Sequence, residues 1–271
     1  VGLEQLNFEG ENKIETAMAI LEAWQPTNDR YQLCFSGGKD SVCIESLAKR
    51  AGVKFTLVYN RTGIDPPELV QFINDYYPQR KLETPKMSVW EGVQHHGLPT
   101  RTVRWCCELL KEYSGKDKML ITGMRAAESV RRAKRCIVEP NRKGGKSYIN
   151  PIFTWKNDEV WAYIRQNNIP YCKLYDEGFE RLGCIMCPMT THSHTLTEWQ
   201  RWPKFAEAWF RAGARYWERM YPTWQAKGSH FAEMFPTPDD YCWWWVTRGQ
   251  VSIPEIKYKA ERMGLKLRLD A

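Results

Sequence analysis

Ser36-Gly37-Gly38-Lys39-Asp40-Ser41 stands between a short apolar run, Tyr31 to Phe35, and a stretch with helical patterning, Val42 to Arg50. A strand that runs into two glycines and then into a helix start gathers backbone N–H groups and the positive end of a helix around a phosphate-sized space. Gly37 and Gly38 let the backbone take positive φ and approach an oxyanion closely. Lys39 adds a point charge, the Ser36 and Ser41 hydroxyls add donors, and Asp40 is placed to cap the new helix or to help hold a metal. Neither commoner phosphate loop fits these six residues: a Walker loop has a glycine five positions before its Gly-Lys-Ser/Thr, and a dinucleotide fold has Gly-x-Gly-x-x-Gly. Gly145-Lys146-Ser147 fails the same test, because Pro140 stands where the first glycine belongs. The hexapeptide therefore predicts a nucleotide-phosphate site, with a plain strand-to-helix turn capped by serine as the alternative.

Composition agrees with a cytoplasmic enzyme. In 271 residues no apolar stretch approaches the roughly 20 residues of a membrane helix, and the first residues do not pair a basic start with an apolar segment, as a secretory leader would. No membrane contact is expected. Nine cysteines in such a chain argue for metal or redox use before disulfides. Cys106 and Cys107 are adjacent, and Cys184-Ile185-Met186-Cys187-Pro188 follows after 76 intervening residues. Cys-x-x-Cys brings two thiolates to one metal centre. A Cys-Cys pair suits a single tetrahedral zinc poorly but can serve two irons of one cluster. Iron–sulfur is the reading preferred here; zinc recruiting His192 or His194, or plain buried thiols, are the others. Cys34 and Cys43 read as packing residues, and Cys136, Cys172 and Cys242 have no partner at ligand spacing.

Strand candidates at 31–35, 54–59, 81–84, 118–122 and 149–153 alternate with helix candidates at 13–24, 40–51, 67–77, 88–96, 104–114, 126–135 and 157–167. That alternation predicts an α/β fold: a parallel twisted sheet with helices on both faces and the ligand at the carboxyl ends of the strands. Residues 1–188 are expected to form this nucleotide-binding part. Residues 189–271 are expected to form a helical, Trp-rich extension interrupted by Pro222, Pro236 and Pro238.

Ser-Gly-Gly-x-Asp-Ser after a first strand resembles the PP-loop ATP pyrophosphatases, and later motifs resemble their phosphoadenosine phosphosulfate (PAPS) reductase branch. These are Asn60-Arg61-Thr62-Gly63 with Pro67-Glu68, Thr122-Gly123-Met124-Arg125 through Glu128-Ser129, Asn150-Pro151-Ile152, Trp155, Asp158 through Trp161, and Ile169-Pro170-Tyr171. The resemblance covers residues 30 to 188. It implies an adenine nucleotide α-hydrolase-like fold that holds ATP and Mg²⁺ on Ser36, Gly37, Gly38, Lys39, Asp40 and Ser41, with Thr62, Gly63, Gly123, Arg125 and Arg131 lining the nucleotide. Lys39, Asp40 and Arg125 would be catalytic. The Cys-Cys and distant Cys-x-x-Cys pattern is similar to that of the assimilatory adenylylsulfate reductases, which implies Cys106, Cys107, Cys184 and Cys187 as ligands of a [4Fe–4S] cluster.

One departure bears on function. Reductases of this family carry a nucleophilic cysteine in a C-terminal Glu-Cys-Gly-Leu-His motif, and this sequence has no such motif; its last cysteine, Cys242, precedes Trp243-Trp244-Trp245. The expectation is therefore an ATP pyrophosphatase that adenylates an acceptor oxygen for sulfur insertion, supplied by a cysteine desulfurase. Between Arg131 and Lys146 seven basic residues face one acid, a local +6 in a chain of +7, a patch that can hold a polyphosphate backbone. With the missing motif, it makes the DNA-phosphorothioation ATP pyrophosphatases the branch this chain most resembles, and that resemblance implies DNA as the partner, a backbone phosphate as the acceptor and other DNA-modification subunits. A sulfonucleotide reductase and a tRNA thiolation enzyme are the alternatives, and a solvated loop is the plain account of the basic segment. From Trp199 to Trp217 aromatic residues recur at helical spacing among arginines, which reads as a buried stripe more readily than as a base-stacking face.

Overall fold

The computed structural model describes residues 12–142 and 144–269; the stretch read for a leader and Lys143 of the basic segment lie outside them. The chain divides into two compact units that interleave in sequence. The first takes in the chain through Arg61, Pro67–Thr84 and Tyr113–Leu182; the second takes in Thr62–Pro66, Pro85–Glu112 and the chain from Gly183 onward. The expected division after residue 188 thus differs from the observed one, in which two stretches of the first half join the C-terminal helices.

The first unit is built on a sheet that is six-stranded among the described residues: β1 (Tyr31–Phe35), β2 (Phe55–Asn60), β3 (Lys81–Glu83), β4 (Met119–Ile121), β5 (Val138–Arg142) and β6 (Lys146–Ile149). Their order is β3-β2-β1-β4-β6-β5, parallel except for β5 against β6. In β1, Tyr31, Leu33 and Phe35 are buried and the residues between them half-buried, as a central strand covered on both faces requires. The helices of this unit are α1 (Lys13–Ala23), α2 (Lys39–Arg50), α3 (Pro67–Tyr76), α6 (Val130–Ala133) and α7 (Asn157–Gln166). Helix α2 packs against both α1 and α7, which buries eight of its twelve residues.

Two expectations change here. The basic segment is no open loop: β5 and β6 form a hairpin turning at Gly144 and Gly145, both at positive φ. Pro140 conceals β5 in the sequence, yet proline is tolerated in an edge strand, where its missing N–H faces no partner. The candidate helix 126–135 is broken, because the Ser129 hydroxyl caps α6 through the Arg132 N–H and leaves Ala126–Glu128 as a separate 3₁₀ turn.

The second unit is helical: α4 (Val89–His96), α5 (Trp105–Leu110), α8 (His192–Arg201), α9 (Pro203–Ala226), α10 (His230–Met234), α11 (Pro238–Thr247) and α12 (Ile253–Arg262). Ser88 and Glu91 close a capping box at the start of α4. Its core is aromatic, with Trp199, Trp202, Trp209, Phe210, Trp243 and Trp245 all buried. Trp90 and Trp209 meet edge to face at 5.2 Å, and Trp199 and Phe210 do so at 4.7 Å. The stripe is thus core, as read, and Trp244 is the half-buried member of its triplet. Pro222 does not interrupt the helical region as expected, since α9 runs through it to Ala226. It sits on the exposed side of the last turns, where water can satisfy the carbonyl whose bond it removes. No helix among the described residues is long and apolar enough to cross a membrane.

Candidate functional site

The phosphate loop occupies the gap between β1 and α2. Gly37 lies at φ +72, and a Cβ there would come within 2.7 Å of Ile73 and 2.9 Å of Leu69 on α3, so only glycine satisfies both the backbone and the packing. Gly38 is the N-cap of α2; its N–H reaches the Ser36 hydroxyl at 3.4 Å, and Ser41 Oγ donates to the Gly38 carbonyl at 2.8 Å. The loop is tied to the next crossover by Gly123, where a Cβ would stand 2.9 Å from that of Asp40 and 3.1 Å from its backbone.

Asp40 and Arg125 form the electrostatic centre. Arg125 Nε donates to Asp40 Oδ1 at 2.7 Å, Arg125 Nη1 donates to the Trp155 carbonyl at 3.3 Å, and the side chain is only 4% exposed. The sequence reading gave Arg125 to the phosphates. In the fold its guanidinium first orients Asp40, while Glu128 accepts from the Arg125 backbone N–H at 2.9 Å. Lys39 is buried as well; its ammonium donates to the Glu180 carbonyl at 3.3 Å and stands 3.6 Å from Asp40. Arg131 is an exposed residue of α6 and takes no part in the hydrogen bonds described for the loop.

Sequence reasoning missed Tyr175. Its hydroxyl accepts from the Lys39 N–H at 2.8 Å, and its ring lies 5.7 Å from the Lys39 ammonium. Burial raises its pKa, which keeps the phenol neutral and able to donate in turn. Tyr175 ends a 3₁₀ turn far along the chain, and no local pattern marks it out.

Thr62 and Gly63 belong to the second unit. Thr62 Oγ1 accepts from Ile64 N–H at 3.2 Å, Gly63 turns the chain at φ +77, and the Ile64 carbonyl accepts from Ile185 N–H at 2.7 Å. That bond joins the Thr62–Pro66 turn to the Cys184-x-x-Cys187 loop.

The four paired cysteines all lie in the second unit. Cys106 and Cys107 open α5, their thiols hydrogen-bond to each other, and Cys106 lies within electrostatic reach of both Cys184 and Cys187. Cys106 and the Arg104 guanidinium, which donates to Cys107 Sγ at 3.2 Å, pull the Cys107 thiol down to about 5. Half-buried Lys111 faces Cys184, Asp65 and Cys187, and its ammonium is strengthened chiefly by Cys184. Burial raises Cys184 itself to about 12, with Lys111 opposing.

Every backbone polar group of the two residues between Cys184 and Cys187 is taken by the surrounding fold. Ile185 N–H bonds Ile64, and the Ile185 carbonyl accepts from Trp209 Nε1 at 3.2 Å. Met186, in the left-handed region at φ +58, donates its N–H to Glu198 Oε2 at 2.8 Å and accepts at its carbonyl from Arg248 Nη2 at 2.8 Å. Arg248 also bonds Thr195 Oγ1 and the Trp245 carbonyl and stacks on the Trp245 ring at 4.1 Å. Burial lowers Arg248 to about 10, which leaves it a cation at neutral pH. Glu198, Trp209 and Arg248 thus set the cysteine loop. The aromatic stripe conceals that role in the sequence, because its pattern announces only a core.

The cations Arg104, Lys111 and Arg248 around the cysteines would match the negative charge of a thiolate-held cluster, which Cys106, Cys107, Cys184 and Cys187 would bind. The histidines considered for zinc are engaged elsewhere: His194 faces Glu198 at 3.3 Å, and His192 faces Gln250 at 3.1 Å and Lys259 at 3.2 Å.

The basic hairpin is less cationic at its surface than its composition suggests. Arg135 pairs with buried Glu139 at 2.6 Å, Arg132 pairs with Glu128, and Lys146 is buried.

Residues 30–190, more than half of the chain, match the model of the phosphoadenosine phosphosulfate reductase domain. The chain belongs to this family. An uncharacterised protein of Methanocaldococcus jannaschii is 34% identical over 65% of this chain and 45% of its own length. The adenosine 5′-phosphosulfate reductase of Allochromatium vinosum is 29% identical over 74% of this chain and 78% of its own length. Among solved structures, the PAPS reductase of Candida auris in its phosphate complex aligns with a TM-score of 0.50 at 20% identity, covering 66% of this chain and 96% of that one. It shows the fold. The chain spans less than half the length of the first two curated relatives it matches, 45% and 42%.

Proposed function

We propose that this family member is a PP-loop ATP pyrophosphatase that adenylates an acceptor oxygen for sulfur insertion, with a DNA backbone phosphate as the acceptor. The observation that carries the reading is the loop itself: a glycine-built turn at a helix N-terminus, with a buried lysine and an Asp40–Arg125 pair converging on it. In the proposed reaction the acceptor oxygen attacks the α-phosphorus of ATP, the α–β P–O bond breaks, and pyrophosphate leaves into the loop. The Gly38 and Lys39 end of α2, with the Lys39 ammonium, carries the charge that develops on the leaving group. Asp40, oriented by Arg125, would hold Mg²⁺, and Tyr175 fixes the Lys39 backbone. A sulfide-level nucleophile then forms the P–S bond as the P–O bond to AMP breaks. If the sulfur arrives as the persulfide of a cysteine desulfurase, a thiol supplies the two electrons that release it at that level.

Cys106, Cys107, Cys184 and Cys187 would hold a [4Fe–4S] cluster. When bound, it supplies thiophilic iron in the half of the molecule that handles sulfur. Cys242 is not built as a nucleophile. The residue is fully buried in α11, its thiol donates to the Phe210 carbonyl at 3.5 Å, and burial suppresses its ionisation, all of which oppose a mobile thiolate nucleophile.

The test is to incubate anaerobically purified protein with ATP, Mg²⁺, a persulfide-loaded cysteine desulfurase, a thiol and either duplex DNA or tRNA, then digest and analyse the nucleic acid by mass spectrometry. Sulfur in nuclease-resistant DNA dinucleotides is the expected outcome. Sulfur appearing only in tRNA bases would give the activity to the tRNA alternative, and sulfite released in a parallel incubation with adenylylsulfate or PAPS and a thiol would give it to the reductase.

A further inference from the structure

The Lys39 ammonium donates to the Glu180 carbonyl at 3.3 Å. That oxygen belongs to the peptide joining Glu180 to Arg181, so Arg181 leaves the main chain beside the phosphate loop. The fold holds it there. After Tyr175 the chain turns through Gly178, at φ +95, and returns because Phe179 is buried and its N–H donates to the Leu174 carbonyl at 3.1 Å. Arg181 lies within electrostatic reach of the Tyr175 hydroxyl, which itself accepts from the Lys39 N–H at 2.8 Å. Tyr175 and Arg181 thus approach the start of α2 from one short segment, and both belong to the first unit.

The charge balance of the loop separates Arg181 from a merely solvated arginine. Arg125 is committed to Asp40 at 2.7 Å, and Lys39 stands 3.6 Å from the same carboxylate. Two cations that share one carboxylate leave less positive charge than a triphosphate brings, even as its magnesium complex. Arg131, the further cation expected from the sequence, is an exposed residue of α6 outside the hydrogen bonds of the loop. Arg181 is exposed too, and among the described residues its guanidinium enters no hydrogen bond and no ion pair, neighbouring Glu180 included. Moving onto a phosphate would therefore break no bond within the protein. A guanidinium presents a planar fork that takes two phosphate oxygens at once, which an ammonium cannot do.

We propose that Arg181 is a phosphate-binding residue of the loop, which closes on the β- and γ-phosphates of a nucleoside triphosphate and stays with the pyrophosphate they become. Its part in the reaction rests on the pyrophosphatase reading above, whereas the binding itself does not.

The probes are the α,β-methylene analogue of ATP, which cannot be cleaved at that bond, inorganic pyrophosphate and AMP, each titrated by calorimetry into the full chain. Arg181→Ala should weaken the analogue and pyrophosphate by a factor of about ten or more and leave AMP within about twofold, because one charge-assisted contact to the outer phosphates is lost. Arg181→Lys should recover part of the loss, since it keeps the charge and gives up the fork. Thermal unfolding should be unchanged in both. Unaltered affinity for the analogue and pyrophosphate in Arg181→Ala would overturn the proposal. So would an equal loss for AMP, which would mean that the substitution disturbs the loop as a whole. An original protein that bound none of the three probes would overturn the proposal and the nucleotide site together. Formation of AMP from ATP, followed on the same samples, judges the reaction separately: no AMP from the original protein, with the tenfold contrast intact, would refute the pyrophosphatase and uphold Arg181 as a phosphate ligand.

Discussion

At the residue scale, the account turns on a few side chains whose geometry leaves little choice. Gly37→Ala combines positive φ for a non-glycine residue, about 1–2 kcal/mol, with overlap against Ile73, about 1–3 kcal/mol, and is expected to lower the unfolding temperature and abolish nucleotide binding together. Tyr175→Phe removes one hydrogen bond and no packing, so it should leave stability within about 1 kcal/mol of the original while weakening ATP binding severalfold; calorimetry with unchanged affinity would remove Tyr175 from the site. Glu198→Ala leaves the buried Met186 N–H without its acceptor, so the cysteine loop should relax. Its measure is the rate of iron loss to a chelator, expected to rise by at least about tenfold; retention equal to the unaltered protein would show that the loop needs no such support. The glycines, Lys39, Asp40 and the four cysteines were legible because their chemistry is written into local spacing. Tyr175, Glu198 and Arg248 were not, since each acts across a long stretch of chain and looks locally like an ordinary aromatic, helical or surface residue.

At the scale of elements, the sequence announced β1, β2, α2 and α7 through burial period and loop chemistry, and the structure places them within a residue or two of the expected bounds. It concealed β5, because edge strands accept the proline and charges that argue against a strand. It also overstated proline as a helix breaker. Pro222 lies in the closing turns of α9, where the lost hydrogen bond is exposed, so Pro222→Ala should stabilise the protein by about 1 kcal/mol, less than the roughly 3 kcal/mol of a mid-helix site. Thermal unfolding checks this, and a fall in the midpoint would mean that the proline fixes the descent into α10. The interleaved units have the same origin: Thr62–Pro66 and Pro85–Glu112 carry no composition that marks them as partners of the C-terminal helices.

At the scale of the molecule, charge is the property most easily misread from a count. The basic segment carries seven cations in sequence, yet Arg132 and Arg135 are paired with glutamates and Lys146 is buried, while Arg131 and Lys134 are exposed. Two exposed cations, Arg131 and Lys134, thus remain among the described side chains for a nucleic-acid backbone, and the sequence of the segment holds two more, Arg142 and Lys143. If this hairpin is the DNA contact, the logarithm of affinity should fall against the logarithm of salt with a slope of about −2 to −4; a slope near −6 or steeper would place the contact on a broader surface. The central claim concerns ATP, and the most direct measurement follows the fate of α-labelled ATP with Mg²⁺, anaerobically, with and without duplex DNA. The account predicts AMP and pyrophosphate in equal amounts, increased by DNA and lost in Lys39→Ala; ADP as the product, or no cleavage under any of these conditions, would contradict it.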